Sequence, residues 1–239
     1  MEIKKLSILI PVYNEAQTLE KIVDRINQVN LQNIEKEILF INDGSRDETP
    51  KKLNKLQSQY SNLNFQILHH NQNFGKGKAI QTGIKAATGD VVLIQDADLE
   101  YNPRDYPKLL APFMHAQADA VYGSRFLNGE YARVLYFWHY VVNKIITFTS
   151  NCFTNINLTD VETGYKVFKR SLFEEIALSS QRFGFEIEVT AKIAKKGLRI
   201  YEVPISYEGR TYEEGKKISW RDGLAAFWHI IRFNLLTKI

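Results

Sequence analysis

The sequence has a single cysteine, Cys152, and no long uninterrupted apolar run. One cysteine excludes an internal disulfide framework and favours a reducing compartment, and its apolar neighbours predict a buried structural thiol. No signal-peptide pattern follows Met1. A membrane-spanning helix needs roughly 20 predominantly apolar residues, and polar or charged residues interrupt every candidate stretch. These absences argue against a disulfide-stabilised secreted protein and against a spanning helix.

Two glycine-rich nucleotide-binding motifs are also missing. The turn after the first predicted strand, residues 11–15, reads PVYNE and has no G-x-G-x-x-G, and no Walker A pattern occurs. Residues 75–77 read GKG and either contact a phosphate or form the tight turn into a helix. The sequence therefore disfavours the dinucleotide-binding and P-loop classes.

The formal net charge is +4, and it is unevenly distributed. From residue 195 to the end there are nine Lys and Arg against five Asp and Glu, a difference of +4, so the first 194 residues sum to zero. This excess suits a C-terminal face that meets phosphates or an anionic membrane, or it marks only a solvated face. A charge this modest gives no indication of a nucleic-acid partner.

Short apolar runs alternate with segments of helical periodicity through the first half of the chain. Such alternation is typical of an α/β protein with a doubly wound, mostly parallel sheet. The length of 239 residues fits one domain of this class. The runs predict strands at residues 6–12, 37–41, 64–68, 91–94 and 118–123, with helices opening at 14–15, 47–48, 75–78 and 103–107.

Three carboxylates follow the predicted buried strand at residues 91–94. They are Asp96, Asp98 and Glu100. In an extended segment residues two apart project to the same side, so these side chains are expected to gather and repel one another. Mg²⁺ or Mn²⁺ relieves that repulsion and leaves coordination sites for substrate phosphates, whereas the alternative is a solvated acidic turn. Residues 11–15 and Asp43 also fall at strand ends, where open α/β sheets bind ligands, which favours a real site.

Two apolar stretches stand apart from the sheet pattern. Residues 134–142 are rich in aromatics, and the apolar character resumes from Ile145 to Phe153. This stretch predicts a helix in the membrane interface, with a core helix as the alternative. A C-terminal run has helical spacing and either covers the core or lies on the same membrane surface. Its members are Trp220, Leu224, Phe227, Trp228, Ile231 and Leu235.

Taken together, seven motifs resemble the family 2 inverting glycosyltransferases of GT-A fold. The later motifs are similar to the branch that makes dolichyl-phosphate or polyprenyl-phosphate sugars, and the resemblance extends from about residue 6 to about 233. The motifs are residues 7–15 (SILIPVYNE), 42–47 (NDGSRD), 77–79 (GKA), 96–98 (DAD), 123–125 (GSR), 162–168 (ETGYKVF) and 208–212 (EGRTY).

The resemblance implies a role for each matching position. Asp96, Asp98 and Arg125 are the expected catalytic residues, and Asp96 and Asp98, with Glu100 where relatives often carry Gln, would bind the metal. The Glu in place of Gln leaves the metal preference open. The nucleotide sugar would contact Pro11, Tyr13, Glu15, Ile41, Asp43, Asp96 and Ala97, with Arg210 and Lys216 on a C-terminal loop over its diphosphate. Arg125 and Arg133 would receive the lipid phosphate. Apart from the resemblance, Asp160 and Glu162 are candidate supporting carboxylates near the acceptor, with a plain turn before Gly164 as the alternative.

The activity implied by the resemblance is transfer of one hexose, with inversion, to a polyprenyl or dolichyl monophosphate. The donor would be GDP-mannose or UDP-glucose, with Mg²⁺ or Mn²⁺ as cofactor. The acceptor oxygen is already anionic, so no strong general base is required. Residues 1–123 would bind the donor, and 124–239 would face the acceptor and the membrane. The enzyme would be peripheral on the cytoplasmic face, held by its own amphipathic stretches or by a separate membrane-anchoring subunit.

Two other functions remain open. One is a family 2 transferase acting on a saccharide or another cell-envelope acceptor, although the Q-x-x-R-W pattern of processive polymer synthases is missing. The other is a non-catalytic subunit that binds a nucleotide sugar.

Overall fold

The structure is a computed structural model that describes residues 1–127, 133–134, 136–182, 184–211, 213 and 220–237, with the backbone alone at 220–222. Its strands and helices alternate as the sequence predicts. In chain order they are β1 (Lys5–Val12), α1 (Leu19–Gln28), β2 (Glu35–Asn42), α2 (Thr49–Gln59), β3 (Asn64–His69), α3 (Lys76–Ala86), β4 (Val91–Ile94), α4 (Tyr106–His115), β5 (Ala120–Ser124), α5 (Phe137–Thr154), β6 (Lys166–Lys169), α6 (Leu172–Glu175), α7 (Phe185–Lys195), β7 (Ile200–Pro204) and α8 (Trp220–Ile231).

The strands form one seven-stranded sheet in the order β3-β2-β1-β4-β6-β5-β7. Strands β3, β2, β1 and β4 are mutually parallel, β5 is parallel to β7, and β6 runs antiparallel between β4 and β5. The chain leaves β1 towards β2 on one side and returns to β4 on the other. Ligands bind at such a switch point, outside the carboxyl ends of the strands. The predicted doubly wound, mostly parallel sheet is confirmed.

Apolar side chains cover both faces of the sheet. On β1, Leu6, Ile8 and Ile10 face the core shared with α1, α2 and α4, whereas Leu9 faces the opposite core, shared with α3 and α7. This alternation follows from the two-residue period of a strand. The continuous apolar run of β4 divides in the same way, which explains why it is uninterrupted.

Several predicted boundaries were wrong. Helix α1 begins at Leu19 rather than at residues 14–15, because Asn14 has φ of +54° and its side chain accepts a hydrogen bond from Arg46 N–H at 2.9 Å. Helix α2 begins at Thr49, after the predicted acidic first turn. Strands β6 and β7 were not predicted.

Helix α5 packs on α7 and α8 through one narrow face. Its buried residues are Ile146, Thr147 and Ser150, whereas Trp138 is 73% exposed and Phe148 is 68% exposed. The helix therefore has a buried face, as predicted for a core helix, and an exposed apolar face, as predicted for a helix in the membrane interface. Cys152 is exposed, contrary to the prediction, because it lies one turn beyond Phe148 on the outer face.

Helix α8 also carries two apolar faces. Ala226 and Ile230 are buried. The predicted stripe points mostly outward instead, with Trp228 55% exposed. Leu224, Ile231 and Leu235 are exposed as well, Phe227 is half-buried, and the side chain of Trp220 lies outside the described ones. Within the described ranges, none of the helices has the length and apolarity needed to cross a bilayer.

Candidate active site

A cleft of about 370 Å³ opens at the switch point, above the carboxyl ends of β1, β2 and β4. The motifs predicted separately from the sequence meet here. Arg125 approaches from the segment after β5, and Arg210 from the segment after β7. The predicted residues that line the cleft are Pro11, Tyr13, Glu15, Asp43, Asp96, Ala97, Asp98, Glu100, Arg125, Glu162 and Arg210.

The acidic segment after β4 is a turn rather than an extended strand. Leu99 has φ of +67°, and Glu100 N–H donates to Asp98 Oδ1 at 3.1 Å. The carboxylates converge on Arg210, whose Nη2 lies 2.8 Å from Asp98 Oδ2 and whose Nε lies 3.1 Å from Glu100 Oε1. The Asp98 and Glu100 side chains therefore do lie close together, as expected. They are brought together by a turn with a left-handed residue, Leu99, and not by an extended strand.

Asp98 has a strongly perturbed pKa. Burial, together with the negative charges of Asp96 and Glu100, raises the pKa to about 7, against the opposing effect of Arg210. The neighbouring carboxylates contribute to this shift, and a bound cation would oppose it.

Asp96 faces a different cation. Lys76 Nζ lies 2.8 Å from Asp96 Oδ1 and 3.2 Å from Glu186 Oε1 on α7. Burial disfavours the ammonium, but Asp96 and Glu186 outweigh burial and raise the pKa of Lys76 above its usual range. Sequence reasoning assigned no role to Glu186, and it noted Lys76 only within the glycine-rich turn at 75–77.

The chemistry of this donor set fits a divalent cation. Asp96, Asp98 and Glu100 supply hard oxygen atoms, which Mg²⁺ and Mn²⁺ prefer. In the described part of the chain, no three His, Cys, Asp or Glu side chains converge at metal-binding distances. Two cationic groups, Lys76 and Arg210, contact the three carboxylates instead.

The tight turn at residues 75–77 has a clear structural origin. A Cβ at Gly77 would collide with the carbonyl oxygen of Ser180, so the close approach of these segments requires glycine. Asp43 fixes the turn from the other side, because its carboxylate accepts from Phe74 N–H at 3.0 Å and from Gly75 N–H at 2.7 Å. The tight-turn interpretation is confirmed, and Gly75 also lines the cleft.

Arg125 is largely shielded from solvent, with a side chain 12% exposed, and it is already paired. Its Nε and Nη2 donate to the two carboxylate oxygens of Asp160, each at 2.7 Å, and its guanidinium lies 5.2 Å from the ring centre of Tyr207. Asn143 Oδ1 accepts a further bond from Nη2 at 3.3 Å. One edge of the guanidinium fork is thus occupied by Asp160 and Asn143.

Glu162 lies on the cleft wall, and the pKa of its carboxyl group is raised. Burial and the charge of Glu186 raise its pKa to about 7, against Lys166 and Arg125. Lys166 is buried beneath, and burial lowers its pKa to about 8 despite the nearby Glu186. Next to this group, a Cβ at Gly164 would collide with the Asp96 carboxylate, so a side chain here would displace Asp96.

Three predicted residues in the described part of the chain do not line the cleft: Ile41, Arg133 and Asp160, the ion-pair partner of Arg125. Ile41 is fully buried in the core, and its side chain packs beneath the cleft against Gly83. Arg133 donates to the carbonyl oxygen of Gly209 at 3.0 Å, beside the segment that carries Arg210. Lys216 lies outside the described residues.

Two relatives match most of this chain. A dolichol-phosphate mannosyltransferase of Pyrococcus furiosus is 29% identical over 214 residues, which cover 89% of this chain and only 59% of that protein. An undecaprenyl-phosphate mannosyltransferase of Micrococcus luteus is 28% identical over 247 residues, covering 95% of this chain and 97% of that protein.

Among solved structures, glucosyl-3-phosphoglycerate synthase from Mycobacterium tuberculosis, in complex with Mn²⁺, UDP and glucosyl-3-phosphoglycerate, superposes with a TM-score of 0.70. The match covers 97% of this chain and 80% of that one at 18% identity, so it supports the fold alone. The family model described as glycosyl transferase family 2 matches residues 7–177, which is more than half of the chain. The chain therefore has the GT-A fold and belongs to glycosyl transferase family 2.

Proposed function

We propose that this chain transfers one hexose, with inversion, from a nucleotide sugar to a polyprenyl monophosphate. The observation that carries the proposal is the meeting of the acidic turn, Arg210 and Arg125 in one cleft. An acidic turn suits a metal-bound diphosphate, and two arginines suit two phosphate-bearing substrates. The names of the two polyprenyl-phosphate mannosyltransferase relatives support mannose as the hexose.

On the donor side, this chain would hold the nucleotide along β1 and β2 and the diphosphate at the acidic turn. Pro11, Tyr13 and Glu15 line one wall of the cleft, and Asp43 and Ala97 lie near them. The remaining donor assignments are Ile41, as a residue beneath the site, and Lys216. A bound Mg²⁺ or Mn²⁺ would stabilise the charge that develops on the departing diphosphate.

We assign Arg210 to two partners, the carboxylates of the acidic turn and the diphosphate of the donor. Its guanidinium contacts Asp98 and Glu100 directly. With Mg²⁺ or Mn²⁺ held by these carboxylates, the Arg210 guanidinium would be available to donate to the diphosphate oxygens, where preorganised donors stabilise developing charge. Asp96 remains oriented by Lys76, which also links it to Glu186.

On the acceptor side, Arg125 and Arg133 would bind the lipid phosphate. Asp160 holds the Arg125 guanidinium in place through two hydrogen bonds of 2.7 Å. The phosphate would approach the edge of the guanidinium opposite Asp160. Because the acceptor oxygen is anionic at neutral pH, this site needs positioning rather than a strong base.

The exposed apolar face of α5 and α8 supports a lipid acceptor. Trp138 and Phe148 on α5 and Trp228 on α8 are more than half exposed, and the two helices pack together. Aromatic side chains at this density suit the headgroup region of a bilayer. We therefore place the enzyme at the cytoplasmic face of a membrane, attached by this face or through a separate anchoring subunit.

The test uses purified protein, Mn²⁺, a polyprenyl phosphate in detergent, and radiolabelled GDP-mannose or UDP-glucose. Label that moves into the organic phase, and stops moving when a chelator is added, supports the proposal. The Asp98→Asn variant should lose this activity, whereas the exposed surface variant Glu48→Gln should keep it. Transfer of label to a saccharide instead of the lipid would contradict the proposed acceptor.

A further inference from the structure

Leu99 has an unusual backbone conformation at the centre of the acidic turn. Its φ of +67° lies in the left-handed region, which leucine enters only when surrounding contacts hold it there. This conformation reverses the chain between Asp98 and Glu100. As a result Glu100 N–H reaches Asp98 Oδ1 at 3.1 Å, and both carboxylates contact one guanidinium.

A contact from α1 holds this conformation. Arg25 is half-buried on α1 and donates from Nη1 to the carbonyl oxygen of Leu99 at 3.3 Å. The side chain of Leu99 packs against the core that α1 also covers. From the opposite side, Glu208 N–H donates to the carbonyl oxygen of Glu100 at 2.9 Å. The turn is therefore held between α1 and the segment that carries Arg210.

We infer that Arg25 is a positioning residue for the proposed cation site. Arg25 does not line the cleft, and it acts by fixing Leu99 in the left-handed conformation that aims Asp98 and Glu100 at one point. The inference rests on the proposed function, because the cation is the ligand that these carboxylates would share.

The physical basis is the cost of the alternative arrangement. Without the charge-assisted bond from Arg25, Leu99 relaxes towards an extended backbone, and Glu100 N–H leaves Asp98. The two carboxylates then separate, so a cation loses one of its ligands. Replacing a group bonded directly to a metal ligand costs about 10- to 100-fold in metal affinity. Arg25 bonds the Leu99 carbonyl between two proposed ligands, so we expect a loss at the lower end of that range from Arg25→Gln.

The first measurement is Mn²⁺ binding, followed by electron paramagnetic resonance of the free ion, alone and with UDP or GDP present. Arg25→Gln should bind Mn²⁺ about tenfold or more weakly than the unaltered chain. The control is Arg104→Gln, which removes an exposed arginine from the same surface groove and should leave Mn²⁺ affinity unchanged. Arg25→Lys, which keeps a donor and the charge, should recover part of the affinity.

A second comparison tests the route through Leu99. Leu99→Gly accepts the left-handed conformation without strain, whereas Leu99→Val resists it because valine is branched at Cβ. Mn²⁺ affinity should therefore be retained better in Leu99→Gly than in Leu99→Val. In the Leu99→Gly background, Arg25→Gln should lower Mn²⁺ affinity less than in the unaltered chain, because glycine adopts the left-handed conformation without a stabilising contact. A thermal unfolding midpoint for each variant identifies any that fails to fold.

The outcomes separate this inference from the proposed function. If the unaltered chain binds Mn²⁺ and Arg25→Gln binds it equally well, the positioning role is wrong and the metal assignment stands. If the unaltered chain binds no Mn²⁺ under any of these conditions, the metal assignment and the positioning role both fail. Equal losses from Arg25→Gln with leucine or glycine at position 99 would exclude the route through Leu99.

Discussion

Lys76 and Asp96 form an ion pair inside the cleft, with Nζ 2.8 Å from Oδ1. Glu186 lies on the other side of the same ammonium at 3.2 Å. One lysine thus joins the end of β4 to the first turn of α7, two elements that are far apart in the chain. We infer that these two ion pairs fix the positions of Asp96 and Glu186 on the cleft wall.

Replacing Lys76 with Met should destabilise the protein by about 2–3 kcal/mol. Removal of one partner of a buried ion pair costs about 3–5 kcal/mol, and the partial exposure of these side chains reduces the expected figure. Urea denaturation measures the change, with Lys78→Met as the control two residues along α3. An unchanged free energy of unfolding would show that Asp96 and Glu186 tolerate the loss. If Lys76→Met is destabilised as expected, added Mn²⁺ should raise its unfolding midpoint more than that of the unaltered chain, because the cation neutralises Asp96.

Replacing Arg210 with Met should lower kcat/KM for the nucleotide sugar by about 100-fold. A single preorganised donor to developing charge contributes about 10²–10³ in rate. The fold should survive, since Arg210 is partly exposed and belongs to a connecting segment. Steady-state kinetics at saturating acceptor measure the effect. A kcat/KM within threefold of the unaltered value would remove Arg210 from the donor site.

Replacing Arg125 with Met should raise the KM for polyprenyl phosphate about tenfold or more, with the donor KM nearly unchanged. The reason is that the edge of its guanidinium opposite Asp160 would face the proposed acceptor site, and loss of a charge-assisted hydrogen bond costs about 1.5–3 kcal/mol. The exposed Arg104→Met is the control. Because the single variant would leave the buried Asp160 carboxylate without the guanidinium, the double variant Arg125→Met/Asp160→Asn checks that any loss is not caused by unfolding. A larger rise in the donor KM would assign Arg125 to the other substrate.

The first part of the fold could be predicted because each element has a local signal. The apolar runs of β1 and β4 are buried on both faces, and helical spacing on α1 marks its core side. Strand β6 lacks such a signal, because it has only four residues, among them Lys166 and Lys169. Lys166 is buried by the tertiary structure, where its Nζ donates to the carbonyl oxygen of Val161 at 2.9 Å.

Part of the candidate site could likewise be predicted from the sequence, and part could not. Asp96, Asp98 and Glu100 are adjacent in sequence, so their pattern is visible without a structure. Lys76, Glu186 and Arg25 were missed because only long-range folding brings them to that pattern. The one available signal was Lys76 inside the glycine-rich turn. The conformation of Leu99 has no sequence signature, since the left-handed region favours glycine and asparagine.

Acid should lower the stability of the protein by protonating Asp119, which precedes β5 and pairs with Lys169 on β6 and with Arg199 just before β7. Despite burial, hydrogen bonds from Arg199 and Lys169 lower the pKa of Asp119 to about 2. A carboxyl group with a depressed folded-state pKa contributes stability above its unfolded value of about 4, and that contribution is lost as the pH falls towards 2. We expect about 1–2 kcal/mol at pH 7, discounted because Arg199 is half exposed. Comparing the pH dependence of urea unfolding for Asp119→Asn and the unaltered chain measures it, and parallel curves from pH 6 to 2 would contradict it.

The exposed aromatic residues of α5 and α8 should control binding to lipid vesicles without contributing to stability. Trp138 is 73% exposed and Trp228 is 55% exposed, so replacing each with Ser removes little buried area from the folded chain. Burying an aromatic side chain in an interface stabilises binding by about 1.5–3 kcal/mol, so each replacement should weaken vesicle binding about tenfold or more.

Co-sedimentation with phosphatidylglycerol-containing vesicles measures the binding. The matched control is Ile146→Ser on the buried face of α5, which should lower the unfolding midpoint while the remaining folded protein still binds. If Trp138→Ser and Trp228→Ser bind vesicles as well as the unaltered chain, this face is not the membrane contact. Attachment through a separate anchoring subunit would then be the arrangement to test, because the acceptor must still be reached at the bilayer surface.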